Sequence, residues 1–91
     1  MLFVIHAIDK PNSLELRTST RPAHLEYLAG FDTPVGGPLL DAEGNMCGSC
    51  IVLDVADRAE ADAFAANDPY ARAGLFASVA VHEFMKVSWP Q

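Results

Sequence analysis

Several stretches of this sequence are apolar without the alternation that a half-exposed strand shows. Leu2–Ile8 is apolar apart from His6, and Ile51–Leu53 and Val79–Val81 are unbroken apolar runs. Strands that are covered on both faces have this pattern. A chain of 91 residues has few elements with which to cover two faces of a sheet. The chain thus has apolar strand faces that its own elements are too few to cover, and this constrains the fold more than any other feature of the sequence.

The order of the elements follows from β-rich runs separated by turn residues. Strands are predicted over Leu2–Ile8, Thr33–Leu40, Cys47–Val55 and Phe76–Phe84. Asp, Asn, Gly and Pro mark turns at Asp9–Asn12 and at the short Asp41–Asn45 loop. Helical spacing fills the two longer gaps between strands. The order β-α-β-β-α-β predicts a single-domain α+β protein with the ferredoxin-like split β-α-β fold.

The first helix is predicted to begin at the N-cap Ser13 and to stop near Gly30. Pro22 interrupts it, so we expect a kink or a restart with Thr20 as the N-cap. The helical spacing of its leucines indicates an apolar stripe, with His24 at its border: Leu14, Leu16, Leu25 and Leu28.

The second helix has two predicted caps. Asp57 precedes Glu60 by three residues, which is the spacing of a capping box. Asn67 and Pro69 break the helix, and Asp68 before Pro69 is a good N-cap for one further turn. The phenylalanines of the apolar elements are predicted to be core: Phe3, Phe64, Phe76 and Phe84.

This fold places both helices on one face of the sheet and leaves the other face bare. Because the strands are apolar on both sides, a second copy of the chain is predicted to cover the bare face. The sequence therefore predicts a homodimer that forms through the open sheet face.

Charge and composition exclude several classes of partner. Twelve acidic and six basic residues give a net charge of −6, which is unlike a protein that binds nucleic acid or an anionic membrane. No apolar stretch approaches the roughly 20 residues that span a bilayer. Two cysteines do not make a disulfide framework, and no signal peptide is recognised. A reduced, cytoplasmic protein is expected.

His24 and Asp68 are the candidates for chemistry. His24 lies on the first helix and Asp68 follows the second, so the fold allows them to meet across a groove. A carboxylate on one imidazole nitrogen fixes the tautomer and raises the basicity of the other nitrogen, which suits a general base. Two ordinary structural interpretations stay open: a partly buried histidine with a carbonyl partner, and an aspartate that only caps the turn at Pro69.

Other motifs favour structure over chemistry. Cys47 and Cys50 form a C-x-x-C, but it leads into a strand, where a separation of three places the thiols on opposite faces. One such pair supplies only two zinc ligands. His6 and His82 lie on paired strands and are more simply core or interface residues. Gly36-Gly37-Pro38 lacks the pattern of a nucleotide loop. Neither a metal nor a cofactor is predicted.

The chain resembles the YciI, or YCII-related, family over nearly its whole length. The most specific matches are Arg21-Pro22-Ala23-His24-Leu25 and Asp68-Pro69-Tyr70, and Gly37-Pro38 and Gly48-Ser49 also match. The resemblance implies a dimeric α+β barrel of ferredoxin-like protomers. It also implies a cleft centred on His24 and Asp68, with the other characteristic positions as substrate-binding candidates: Arg21, Gly37, Ser49 and Tyr70.

Three functions remain open at this point. The first is a small-molecule enzyme, lyase-like or hydrolase-like, in which His24 is the general acid or base and Asp68 orients it. Arg21 would neutralise an anionic or enolate oxygen of a small cyclic or keto/enol compound. A domain similar to this one is associated with dehydrochlorination of a chlorinated hydroxyquinol. The second is a non-catalytic dimeric module that binds a small molecule. In the third, His24 and Asp68 only hold two helices together.

Overall fold

The computed structural model of the protein describes residues 1–89. Its elements follow the predicted order, with a short helix after the second long one. In chain order they are β1 Leu2–Asp9, α1 Leu14–Leu28, β2 Asp32–Leu40, β3 Met46–Asp54, α2 Arg58–Asn67, α3 Pro69–Arg72 and β4 Phe76–Phe84.

The four strands form one sheet in the order β2-β3-β1-β4, and every neighbouring pair is antiparallel. β1 and β3 are therefore central, and Ile5 of β1 pairs with Ile51 of β3 on one side and with Val81 of β4 on the other. This order is the one that a split β-α-β unit produces. The predicted α+β, ferredoxin-like fold is confirmed.

The hydrophobic core lies between the sheet and α2. Alternate residues of β1 and β3 point towards the helices, as the period of two along a strand requires. They pack with Ala61 and Phe64 of α2, and the sheet contributes Phe3, Ile5, Ile51 and Leu53. The core prediction is wrong for Phe84, which is exposed, because its pairing with Leu2 places it on the other face of the sheet. Phe76 is half-buried.

α1 is one continuous helix through Pro22, so the predicted restart at Thr20 is wrong. Proline removes only its own backbone donor, here the one that would reach Thr18, and the rest of the helix continues past it. Ser13 occupies the N-cap position as predicted. Its side chain does not cap the helix, because the hydroxyl donates to the carbonyl of Pro11.

Only the last residue of the predicted apolar stripe of α1, Leu28, packs against the core. Leu25 is 50% exposed, and Leu14 and Leu16 are also exposed. The buried side chains of the helix are those of Arg17 and His24, so His24 is buried instead of lying at the border of an apolar stripe. The fully buried side chains of α1 are therefore polar, and their burial requires polar partners.

Both predicted aspartate caps are present. Asp57 accepts a hydrogen bond from the backbone N–H of Glu60, and Asp68 accepts one from the N–H of Tyr70. The Glu60 carboxylate accepts from the N–H of Ala56 instead of from Asp57, so the capping box is shifted by one residue. These caps fix where α2 and α3 begin, and they bring Asp68 to the start of α3.

The second face of the sheet is covered by none of the helices within residues 1–89. Its side chains come from every strand, including Val4, Val35, Val52 and Phe84, and Val35 is 67% exposed.

No helix among the described residues has the length and apolar character to cross a membrane. The cytoplasmic location stays a prediction of the sequence.

Two glycines of the sheet offer a matched test of close packing. A side chain at Gly48 would meet the backbone carbonyl of Ala7, whereas one at Gly37 would meet no atom within 4 Å. We expect Gly48→Ala to lower the free energy of unfolding by about 1–3 kcal/mol, since the backbone must move. Gly37→Ala is expected to change it little. Denaturant unfolding of both variants measures the difference, and equal losses would contradict the packing.

Candidate functional site

A cavity of about 150 Å³ lies between α1 and the β2–β3 edge of the sheet. α1 contributes its polar inward face, and the strands contribute small residues that leave room beside it. The lining residues are Arg17, Arg21, His24, Leu25, Leu28, Gly36, Gly37, Pro38, Ser49 and Tyr70. The cavity is comparable in size to one that accepts a single benzene ring.

The buried pair of His24 and Asp68 forms as the sequence predicts. Nδ1 of His24 lies 2.9 Å from Oδ1 of Asp68, and the two residues are 6% and 3% exposed. Beside an ionised carboxylate, which only accepts, Nδ1 carries the hydrogen and Nε2 is left as the acceptor. The same Oδ1 also accepts the N–H of Tyr70, 2.9 Å away, so the cap of α3 holds the carboxylate in place.

Tyr70 lies between two side chains of α1. Its ring stacks on that of His24 with centroids 4.0 Å apart, and its centroid is 4.4 Å from Cζ of Arg17. Arg17 and His24 leave α1 about two turns apart, so the ring fills the space between them. Burial raises the pKa of Tyr70 above its usual 10.0, Asp68 adds to the rise, and Arg17 and Arg21 oppose it. The phenol is therefore a hydrogen-bond donor at neutral pH.

Arg17 joins a second buried network at the end of the cavity. Nε and Nη2 donate to the two carboxylate oxygens of Asp9, at 2.7 and 2.8 Å, and Nη2 also donates to Oγ of Ser49 at 2.9 Å. Such a bidentate pair has the geometry that matches guanidinium to carboxylate. The pair ties α1 to the end of β1, and the serine ties it to β3.

Neither Arg17 nor Asp9 is among the residues that the sequence predicts for the site. Arg17, Arg21 and His24 follow the spacing i, i+4, i+7, which places them on one side of a helix. That spacing indicates a polar face of the helix. The leucines of the same helix indicate an apolar stripe, which led to the opposite prediction. Nothing in the pattern pairs Asp9 with Arg17.

The predicted site residues come together in the structure. His24, Arg21, Gly37, Ser49 and Tyr70 line the cavity, and Asp68 lies behind His24. No carboxylate lines the cavity within the described part of the chain, although the whole protein has a net charge of −6. The lining is therefore rich in hydrogen-bond donors, and it suits a ligand that carries acceptor oxygens.

The cysteines and remaining histidines lie away from this cavity. Cys47 and Cys50 are free thiols. Cys50 pairs with His6 on the open face of the sheet, and Ser49 points to the opposite side. Among residues 1–89, no three His, Cys, Asp or Glu side chains are arranged to hold a metal ion.

A wider depression of about 420 Å³ lies between the loop after β1 and the β2–β3 turn. It is larger than the cavity at His24, but exposed loop residues such as Lys10, Asn12 and Asn45 form much of its wall. It contains no histidine. We place the candidate site at the smaller cavity, because buried and mutually oriented titratable groups occur there.

The sequence matches a known protein family over nearly its whole length. The model of the YCII-related domain matches residues 1–85. The chain belongs to the YCII-related family. The proteins named YciI from Escherichia coli O6:H1 and Shigella flexneri are each 37% identical to it, over 96% of this chain and 99% of theirs.

Two solved structures resemble this fold. The 5-chloro-2-hydroxyhydroquinone dehydrochlorinase TftG from Burkholderia phenoliruptrix, solved with 2,5-dihydroxybenzoquinone, has a TM-score of 0.88 and 37% identity, over 93% of this chain and 94% of that one. An antibiotic biosynthesis monooxygenase has a TM-score of 0.60 at 16% identity, over 97% and 100% of the chains. The second likeness shows the fold alone.

The Asp9–Arg17 pair predicts an unequal response to single and double substitution. Arg17→Ala leaves the Asp9 carboxylate buried without its partner, so we expect a loss of about 3–5 kcal/mol in the free energy of unfolding. Asp9→Leu combined with Arg17→Met removes both charges and keeps apolar volume, and a much smaller loss is expected. Denaturant unfolding compares the two. A double variant as unstable as Arg17→Ala would contradict the argument.

Proposed function

We propose that this protein is a small-molecule enzyme that uses His24 as a general acid or base and Asp68 to orient it. The observation that carries the proposal is the 2.9 Å contact between Nδ1 of His24 and Oδ1 of Asp68 at the wall of a ring-sized cavity. With Nδ1 committed to the carboxylate, Nε2 is the nitrogen that exchanges a proton with a substrate. Asp68 stabilises the imidazolium that forms when Nε2 accepts a proton.

The substrate class that we propose is a small cyclic or keto/enol compound, and the reaction is an elimination, a proton transfer or a hydrolysis. The 37% identity and TM-score of 0.88 to the dehydrochlorinase TftG support a reaction of this kind. In an elimination, Nε2 removes a proton, the electrons of that bond form a carbon–carbon double bond, and the leaving group departs with its bonding pair. The cavity's arginines would stabilise the negative oxygen that develops.

Each group of the cavity has a place in that reaction. Arg21, Tyr70 and Ser49 are polar groups that line the cavity beside His24 and would hold the oxygens of the substrate. Gly36 and Gly37 bring backbone close to the bound ring without side chains. Leu25 and Leu28 form the apolar wall against which a planar ring packs.

The acid–base role predicts a large effect of changing either member of the pair. Turnover of 5-chloro-2-hydroxyhydroquinone and related quinols is measured for the wild type, His24→Gln and Asp68→Asn. Each variant is expected to lower kcat about 100-fold or more, because positioned acid–base groups contribute 10²–10⁴-fold. Asparagine still caps α3, so Asp68→Asn alters the partner of His24 while it preserves the helix start.

The matched control is Asp62→Asn, which changes an exposed aspartate of α2 outside the cavity. Its turnover is expected to equal that of the wild type. Saturable binding of these compounds with no turnover would instead favour a non-catalytic binding module. Lower stability in the His24 and Asp68 variants, with neither binding nor turnover in the wild type, would favour a purely structural pair.

The second part of the proposal is that two copies associate through the open sheet face. The face carries apolar side chains from all four strands, of which Ile8, Val35 and Phe84 are exposed, and no helix within residues 1–89 covers it. Two copies related by a two-fold axis would cover each other's face at once. The assembled pair would be the dimeric α+β barrel that the family resemblance implies.

Two valines on opposite faces of the sheet test this assembly. Val35 pairs with Val52 on the open face, whereas Val79 pairs with the buried Ala7 and is on the helix side, where it is 43% exposed. Val35→Lys is expected to shift the protein from dimer to monomer in analytical ultracentrifugation, since it buries a charge at the interface. Val79→Lys should leave the dimer intact. A monomeric wild type would refute the assembly.

A further inference from the structure

A histidine and a cysteine lie side by side at the centre of the open sheet face. His6 of β1 and Cys50 of β3 are direct partners on the two central strands. Residues opposite each other in an antiparallel pair have Cβ atoms about 4.5–5.5 Å apart, so both side chains reach one point above the sheet. His6 is exposed, and Cys50 is a half-buried free thiol. Imidazole nitrogen and thiolate sulfur are the ligands that zinc prefers.

The surroundings of this pair on the open face are small or apolar. The residues next to it in register are Val4, Ile8, Gly37, Gly48, Val52 and Ala80. The other histidine of the face, His82, pairs with Val4 and lies one row away on the edge strand β4. Within residues 1–89 of one chain, no three His, Cys, Asp or Glu side chains are arranged to hold a metal ion. A metal ion at His6 and Cys50 therefore needs further ligands from a second molecule.

The proposed dimer supplies those ligands. Two sheets that pack face to face lie about 10 Å apart, and their strands stay within about 30° of each other. When the two-fold axis runs along the strands between β1 and β3, each β1 lies over the partner's β3. His6 of one copy then lies over the partner's Cys50, and symmetry repeats the contact. Two nitrogens and two sulfurs thus surround one point midway between the sheets.

The polarity of the pair favours this arrangement of the two copies. A two-fold axis that ran across the strands, through the centre of the face, would place His6 over the partner's Val4. The imidazole would then be buried among apolar groups, and burial of a polar group without a partner costs free energy. The axis along the strands instead brings each polar side chain to another polar side chain. A shared metal ion satisfies all four of them.

We propose that His6 and Cys50 of two copies bind one zinc ion in a tetrahedral site on the two-fold axis of the dimer. This inference rests on the dimer part of the proposed function and does not involve His24. Binding releases one proton from each thiol, so two thiolates and two neutral imidazoles leave the site without net charge. A site without net charge suits an interface covered by valines. Because the protein fills all four positions, the zinc is structural.

The test measures the stoichiometry and the ligands of the bound metal. The purified full chain is stripped of metal with a chelator and kept reduced. It is titrated with Zn²⁺ by isothermal titration calorimetry and with Co²⁺ by absorption spectroscopy. Tetrahedral Co²⁺ with thiolate ligands gives intense d–d bands and a sulfur-to-metal charge-transfer band, so the spectrum reports both the geometry and the cysteines.

The wild type is expected to bind one zinc ion for two chains, with a Kd below about 1 µM. Its Co²⁺ complex should show the charge-transfer band. Zn²⁺ should also lower the dissociation constant of the dimer about tenfold or more in analytical ultracentrifugation, because the ion binds the dimer and not the monomer.

Cys50→Ser and His6→Leu each remove one kind of ligand and should abolish these effects of the metal. Both positions lie on the open face of the protomer, and circular dichroism checks that the variants fold. His6→Leu keeps the face apolar, so it should form the dimer without responding to zinc. Cys47→Ser is the matched control, since Cys47 is the other free thiol and lines the depression beside the loop after β1. It should bind zinc as the wild type does, and so should His82→Gln.

Several results would overturn the site. A wild type with no charge-transfer band, or one that binds one ion for each chain, refutes it without any variant. Wild-type zinc affinity in Cys50→Ser refutes it as well. Loss of binding in Cys47→Ser or His82→Gln, with both proteins folded, would show that other ligands hold the metal.

The metal site and the proposed function fail separately. A metal-free dimer that binds no zinc would leave the assembly standing and refute the site. A monomer that becomes a dimer on adding one ion for two chains supports the site and shows that the apolar face alone does not hold the copies together. A chain that stays monomeric with and without zinc refutes both. Neither ligand lines the cavity at His24, so the acid–base proposal is decided by turnover alone.

Discussion

Burial of Arg17 is the constraint on which the helix layer depends. A guanidinium that is 2% exposed requires an opposite charge and hydrogen bonds, and Asp9 and Ser49 provide them from two different strands. These bonds set how α1 lies on the sheet, with its polar side inwards. The orientation in turn places His24 within reach of Asp68 and leaves Leu14, Leu16 and Leu25 exposed. The candidate site therefore depends on α1, whose fully buried side chains are the polar ones of Arg17 and His24.

The site combines two buried polar networks that Tyr70 separates. On one side of its ring are His24 and Asp68, the pair for which we propose proton transfer, and on the other is Arg17 with its partner Asp9. A reaction that develops charge on a ring oxygen while a proton leaves carbon requires both kinds of group within one ring's width. The cavity of about 150 Å³ has room for one such ring.

Much of this could be predicted from the sequence. The strand positions and the caps at Asp57 and Asp68 follow from local chemistry, and the fold then brings His24 to Asp68. The orientation of α1 could not be predicted from hydrophobicity, because that reasoning assumes that leucines are buried before arginines. Arg17 is buried while Leu25 is exposed, because Arg17 pairs with Asp9. Asp9 belongs to another element, and no helical or strand spacing relates the two residues. Long-range pairing of charges is a tertiary property, which a local pattern does not contain.

One oxygen atom links the folding of α3 to the position of the His24 side chain. Oδ1 of Asp68 lies 2.9 Å from Nδ1 of His24. The same oxygen accepts a hydrogen bond from the backbone N–H of Tyr70 in the first turn of α3. α3 is only four residues long, and a helix of that length has little stability of its own. Fraying of this single turn would therefore release the imidazole as well as the backbone. The imidazole of His24 is thus held only as firmly as α3, the shortest helix among residues 1–89.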